Sequence, residues 1–172
     1  SIDGPSALHD NIRGRPGSYG NAVATAKRLA SNSSIRVFIG TTITPENFSV
    51  LPQTCAALEQ SLPAFDPRDW HVNIMQLSGH FFHNEHQAKP SKEDVAQALE
   101  VMSSFHGLPR NGFALAEWLY LRFNRLYLES GRVPIHCQAL KASVHIAADG
   151  RVFPCHIRDE VVGTLQEVGY NL

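Results

Sequence analysis

Apolar positions recur along this chain with two different periods, and the switches between them mark its elements. Ile2 opens a short extended segment that Asp3-Gly4-Pro5 turns. From Tyr19 to Ala30, the residues Ala22, Val23, Ala26 and Leu29 recur at spacings of three and four, which predicts a helix packed on one face. Ile35 to Ile43 is a continuous apolar and β-branched run, the pattern of a strand buried on both faces, and Pro45 stops it ahead of a second helix around Phe48 to Leu62. Val72 to Leu77 predicts a shorter third strand. After a polar loop, Ser91 to Asp94 reads as the N-cap and acidic first turn of a third helix, whose buried face carries Val95, Leu99, Met102 and Phe105. A fourth helix from Gly112 to Glu129 ends at Ser130-Gly131.

Beyond that helix the pattern becomes one of short β runs. Ser143 to Ala147 and Arg151 to Phe153 flank Ala148-Asp149-Gly150, and Asp-Gly between such runs predicts a hairpin. Alternating strands and helices imply parallel strands with right-handed crossovers and chemistry at the strands' C-terminal ends. The expected fold is α/β: a parallel sheet or part of a barrel with helices outside over residues 1–130, then a small β-hairpin appendage over residues 131–172. Three strand-helix units leave open sheet edges, so further strands are expected ahead of Ser1.

Composition narrows the partners. Fifteen basic residues stand against sixteen acidic ones, a net charge of -1, which gives no electrostatic excess for a phosphate backbone or an anionic membrane. Apolar stretches fall well short of the roughly 20 residues that cross a bilayer, and no signal sequence opens the chain. Neither nucleic acid nor membrane is an expected partner, and a cytoplasmic location is. Three cysteines, Cys55, Cys137 and Cys155, argue against a disulfide framework; Cys55 lies in a helical run and reads as a small buried apolar residue.

Cys137 and Cys155 flank the hairpin, separated by twelve residues, Gly150 and four more. A hairpin joins its own ends, so the two thiolates could share one metal centre; as buried free cysteines they would be inert. Two ligands do not complete a structural zinc site or an iron-sulfur cluster, so the rest would come from elsewhere. His136 and His156, each beside a cysteine, would complete a zinc site of two cysteines and two histidines. His80, His83 and His86 form an H-x-x-H-x-x-H run after the third strand and, if helical, share roughly one face, within reach of a metal or an anionic substrate. Ser1 and Arg13 suit a ligand with a ribose and a carboxylate, since a guanidinium can hold a carboxylate through two parallel hydrogen bonds; Arg13 also reads as a solvated surface charge.

The two end segments together resemble radical S-adenosylmethionine enzymes. Ser1-Ile2-Asp3-Gly4-Pro5, His9-Asp10 and Ile12-Arg13-Gly14 resemble the family's fourth barrel strand and following loop. Cys137-x12-Gly150-x4-Cys155, with Val152-Phe153-Pro154 before the second cysteine and Val162-Gly163-Thr164-Leu165 after it, resembles the opening of a twitch or SPASM appendage. The resemblance implies the C-terminal half of a partial (β/α)6 TIM-like barrel that, in the intact protein and with a [4Fe-4S] cluster, cleaves S-adenosylmethionine reductively to a 5'-deoxyadenosyl radical and modifies a peptide or small metabolite. It further implies an electron donor such as flavodoxin or ferredoxin. Ser1 and Arg13 match contacts to the cofactor. Thr41, Thr42 and Asn47 after the fifth strand, with Gln76 and Leu77 at the end of the sixth, stand where cofactor or substrate contacts are expected. Cys137 and Cys155 match two ligands of an auxiliary iron-sulfur cluster, and His80 and His83 would face substrate at the barrel mouth.

Departures from the family pattern set the limits of that reading. The CxxxCxxC motif that holds the catalytic cluster does not occur in these residues, so this polypeptide by itself is expected to be inactive. His156 stands where sulfatase-maturing relatives have Asp, and it is a candidate base. A reading of another class is a zinc-stabilised binding or scaffold module built on Cys137, Cys155 and neighbouring histidines.

Overall fold

The computed structural model describes residues 1–32, 34–132 and 135–167. They fall into two units, residues 1–75 with 90–132, and residues 76–89 with 135–167. The loop 76–89 therefore groups with the C-terminal residues, although it precedes two long helices in sequence.

The first unit is built on a parallel strand pair, β1 (Ile39–Ile43) and β2 (Trp70–Ile74), in register from Ile39 opposite Trp70 to Ile43 opposite Ile74. Residues 1–3 run beside β1: the Ile2 N–H donates to the Gly40 carbonyl at 2.8 Å, and the Thr41 hydroxyl donates to the Ile2 carbonyl. Helix α1 (Ser6–Ile12) and helix α2 (Ser18–Ala30) connect this segment to β1, while a short 3-10 turn (Phe48–Val50) and α3 (Leu51–Ser61) connect β1 to β2. Helices α4 (Lys92–His106) and α5 (Gly112–Ser130) follow. The architecture is mixed α/β, and neither sheet of the described residues closes into a barrel.

The strand expected over Ile35 to Ile43 is shorter and covered on one side only. Ile39, Thr41 and Ile43 are buried, whereas Gly40 and Thr42 between them are half-buried. The period-two alternation follows from the pleat, and the buried side joins Trp70, Val72, Leu51, Leu58, Leu99 and Met102 in the core. Trp70, fully buried, donates its indole N–H to the Thr41 hydroxyl at 2.8 Å, so the one polar side chain on that side of β1 is satisfied. The third predicted strand begins two residues earlier than Val72, at Trp70.

Local signals explain the helices. Ser91 caps α4 through a reciprocal capping box with Asp94, at 3.0 and 2.9 Å. Asn111 caps α5, which ends on Gly131 in the left-handed conformation, φ 68°. Cys55 is buried in α3, and that burial pushes its thiol up to about 11, the signature of an inert packing residue.

A titratable cluster ties α4 and α5 to β2. His71 Nδ1 donates to the buried Glu117 carboxylate at 2.6 Å, and His106 Nε2 donates to the Trp70 carbonyl at 2.9 Å. Glu117 Oε1 and His106 Nδ1 are buried without a hydrogen-bond partner among the described residues. Glu117 raises the pKa of His71 above its ordinary 6.5, and burial lowers that of His106 below the same value.

The second unit holds an antiparallel three-stranded sheet, β3 (His145–Ile146), β4 (Arg151–Phe153) and β5 (Gly163–Thr164), in the order β3-β4-β5. The predicted hairpin is β3-β4, with Gly150 at φ 84° in its turn, a conformation that favours glycine. The Asp149 carboxylate accepts from the Arg151 backbone N–H at 3.1 Å and from its guanidinium at 2.7 Å.

The two histidines make stability depend on pH in opposite directions. The His71 contribution is complete below pH 6.5 and is lost as pH rises through its raised value; the His106 contribution is complete above pH 6.5 and declines as pH falls toward its lowered value. Urea midpoints measured against pH should therefore fall on both sides of a neutral optimum, with Glu117→Gln flattening the alkaline limb and deepening the acid limb, because the Glu117 charge also holds the His106 pKa up.

Candidate functional site

The residues picked out at the start of the chain meet around one buried carboxylate. Asp3 is 2% exposed, because pairing residues 1–3 with β1 carries it beneath α1. Its Oδ1 accepts from the Thr42 N–H at 3.0 Å and from the Ser1 hydroxyl at 3.3 Å. Its Oδ2 faces the Arg13 guanidinium at 2.5 Å. Its backbone N–H donates to His9 Nδ1 at 3.0 Å, and its carbonyl accepts from the Asn47 amide at 2.9 Å.

Each partner is placed by its own element. Helix α1 buries His9 on the face that meets Asp3 and delivers Arg13 at its C-terminal cap. Because His9 Nδ1 accepts from a backbone N–H, the ring carries its proton on Nε2, and burial holds its pKa below the ordinary value. Asn47 is completely buried: its amide also donates to the Thr42 carbonyl at 2.8 Å, and its oxygen accepts from the Thr44 N–H at 2.8 Å. That side chain clamps the turn leaving β1 onto the segment leaving residue 3.

The sequence-derived candidates separate accordingly. The Thr41 hydroxyl and the whole Asn47 amide are engaged inside the fold and act as braces. Ser1, Arg13 and Thr42 keep exposed surface, 43% of the side chain in the case of Arg13. A cavity of about 340 Å³ is lined by Ser1, Ile2, Asn21, Thr25 and Phe38 among others, but by none of Arg13, Thr41, Thr42 and Asn47. Gln76 and Leu77, half-buried, belong to the second unit, where the Gln76 carbonyl accepts from the Asn84 amide at 3.0 Å.

In the second unit, His80, His83 and His86 do not form a helix. Turns and bends occupy this loop, and His83 sits at φ 52°, so the shared helical face expected of the run is not formed. The His80 side chain is 4% exposed; its Nδ1 lies 2.5 Å from Asp159 Oδ1 and its Nε2 3.2 Å from the Cys155 carbonyl. Hydrogen bonds from His80 hold the Asp159 carboxyl below the usual carboxylate range. Phe81 and Phe82 are exposed beside His145 and His156, with ring centroids between 4.9 and 5.8 Å apart for Phe81–His145, Phe81–His156 and Phe82–His156.

Cys137 and Cys155 are both free thiols; Cys137 is exposed and Cys155 half-exposed. The Cys155 sulfur accepts from the Ile157 N–H at 3.4 Å, an arrangement suited to a thiolate. Both sulfurs are unbridged and reach the surface at the two flanks of the hairpin. Among the described residues, no group of three or more His, Cys, Asp or Glu side chains converges on a metal position. Asp3 and His9 were legible in sequence only as parts of the opening turn and motif, and Asp159 not at all; their partners lie up to 80 positions away and leave no local pattern. Comparison with family models, with curated proteins and with solved structures gives no match.

Removing the hub should cost more than neutralising it. Asp3→Ala strands the Arg13 charge and the Thr42 N–H and is expected to destabilise by about 3 kcal/mol in urea unfolding, whereas Asp3→Asn, which keeps the acceptor, loses about half of that. An Asp3→Asn variant as stable as wild type would show that the carboxylate's charge contributes nothing, and equal losses for the two variants would show that the neutral acceptor contributes nothing.

Proposed function

We propose that this chain is part of a radical S-adenosylmethionine enzyme, comprising the later barrel strands and the start of an auxiliary-cluster appendage, and that the intact protein modifies a peptide or small metabolite. The observation that carries this reading is the Arg13 guanidinium, fixed by the buried Asp3 carboxylate at the end of a segment paired to a parallel strand, yet still substantially exposed. A planar donor group held in that way is suited to a ligand carboxylate, which it can grip through two parallel hydrogen bonds. Ser1 supplies a hydroxyl beside it for a ribose, and Thr42 contributes from the half-buried side of β1.

A catalytic [4Fe-4S] cluster would supply the electron that cleaves the sulfonium, and the three-cysteine motif that would hold it does not occur in these residues. What this chain's residues do is narrower. Arg13 binds, Asp3 orients Arg13, and Asn47 with Thr41 keeps the two strand ends at a fixed spacing. Cys137 and Cys155 provide two thiolates for the auxiliary cluster, and His156, exposed beside Cys155, is a candidate base facing substrate. Flavodoxin or ferredoxin is the matching class of electron donor. No helix of the described residues is long and apolar enough to cross a membrane, and a cytoplasmic site of action belongs to the same reading.

Two measurements test it. In the intact enzyme, Arg13→Ala should weaken S-adenosylmethionine binding by about 10- to 100-fold, the worth of a charge-assisted hydrogen bond, and unchanged affinity would remove the assignment. Anaerobically reconstituted protein should hold iron and acid-labile sulfide that Cys137→Ser and Cys155→Ser diminish. Bound zinc with no sulfide and no visible absorption would instead identify a zinc-stabilised module.

A further inference from the structure

The second unit contains a polar arrangement that the proposed function leaves unexplained. A histidine with both ring nitrogens engaged is buried in the loop after β2, and one of its two partners is the backbone of Cys155. The ring lies flat against Phe153, two residues before that cysteine, with centroids 4.0 Å apart and planes at 16°. Phe153 is itself 1% exposed, so the stack is fixed from beneath. Asp159 Oδ1 gathers three contacts at once: the Gly79 and His80 backbone N–H groups at 3.0 Å each, and the His80 ring at 2.5 Å.

These contacts restrain the Cys155 peptide at defined points. β4 pairing ends at Phe153, and beyond it the chain bends without ladder hydrogen bonds. In that stretch His80 Nε2 holds the Cys155 carbonyl at 3.2 Å, and the Ile157 N–H reaches the Cys155 sulfur at 3.4 Å. Fixing the carbonyl fixes the peptide plane and hence the direction of the Cα–Cβ bond. The N–H contact then selects where the sulfur lies. Outer groups that orient a metal ligand in this manner usually change metal affinity by about 10- to 100-fold when removed.

We propose that His80 and Asp159 are positioning residues for Cys155 as a ligand of the auxiliary iron-sulfur cluster, His80 by holding the cysteine's carbonyl and Asp159 by orienting His80. The inference rests on the cluster reading above and assigns His80 a role inside the fold in place of substrate contact. Because a carboxylate and a carbonyl oxygen both accept, the two contacts hold as hydrogen bonds together when both ring nitrogens of His80 carry a proton. His145, 5.3 Å from His80 between ring centroids, adds a second ring to the same packing without a hydrogen bond to Cys155.

The test compares wild type, His80→Ala, His80→Gln and Asp159→Ala, each reconstituted anaerobically with iron and sulfide. Asp159 is 56% exposed at its side chain, so its removal opens no cavity at Val152 and Phe153 and is the milder truncation where His80→Ala fails to fold. Iron retention against a chelator and the electron paramagnetic resonance spectrum of the reduced auxiliary cluster are read, together with the midpoint potential. Expected is a loss of iron affinity of about tenfold or more in His80→Ala and Asp159→Ala with an altered spectrum, and partial recovery in His80→Gln, whose amide still donates to a carbonyl. A wild type that holds the cluster while both alanine variants keep its affinity and spectrum would overturn the inference and leave the cluster reading standing. A wild type that takes up no iron or sulfide overturns the cluster reading and, with it, this role for His80.

Discussion

A single buried carboxylate sets the terms for the first unit. A carboxylate at 2% exposure is tolerated only when its charge is matched, and four separate elements meet at Asp3: Oδ1 accepts two hydrogen bonds, Oδ2 is ion-paired with Arg13 without a hydrogen-bond partner among the described residues, and the backbone carbonyl accepts from Asn47. The Arg13 charge comes from the end of α1, the Thr42 N–H from β1, the Asn47 amide from the turn after β1, and the Ser1 hydroxyl from the paired segment itself. Those demands fix the distance between two neighbouring extended segments at their C-terminal ends, which is where an α/β fold places its chemistry. The polar braces and the candidate binding group are thus one network.

The second unit solves a different problem. Strands of two and three residues do not hold a sheet by hydrogen bonding alone, and few apolar side chains of this unit are fully buried. Val152 and Phe153 form the apolar floor, and the rest of the restraint is polar and aromatic: the Asp149–Arg151 pair at the turn, the His80–Phe153 stack, and the Asp159 contacts to the loop after β2. A small unit with so little core depends on such contacts, or on a bound metal, for a defined shape.

Much of this was legible in sequence wherever structure is local. The extents of α2, α4 and α5, the Val95, Leu99 and Met102 face of α4, the Ser91 capping box and the Asp149-Gly150 turn are written in spacings of a few residues, and they occur where those spacings place them; the aromatic stripe of α5 is not its buried face, which carries Ala114, Glu117 and Leu121, and Leu29 of α2 is exposed. What was illegible is relational. Helix α1 is seven residues long and opens from a Pro-containing turn, so its pattern is too short to separate from a loop; β5 is two residues and exists only through its pairing with β4. The burial of β1 on one side only could not be read from Ile35 to Ile43, because a continuous apolar run does not reveal what covers each face. For the candidate site, Ser1 and Arg13 were visible as residue types, while the Asp3 hub that relates them depends on pairing across 39 positions.

The identity of the arginine follows from the same network. A lysine at position 13 could neutralise Asp3, but its compact ammonium would be used up by one oxygen and its immediate neighbours. A guanidinium offers five N–H donors in a plane, so contact with Asp3 Oδ2 still leaves donors for a second carboxylate. His9 does not compete for this role, since its Nδ1 accepts from the Asp3 backbone and burial keeps the ring neutral near pH 7. The positive charge at Asp3 is therefore carried by a group that is still partly in solvent and able to grip an anion, and the cost of burying the aspartate is offset by the residue proposed to bind the cofactor.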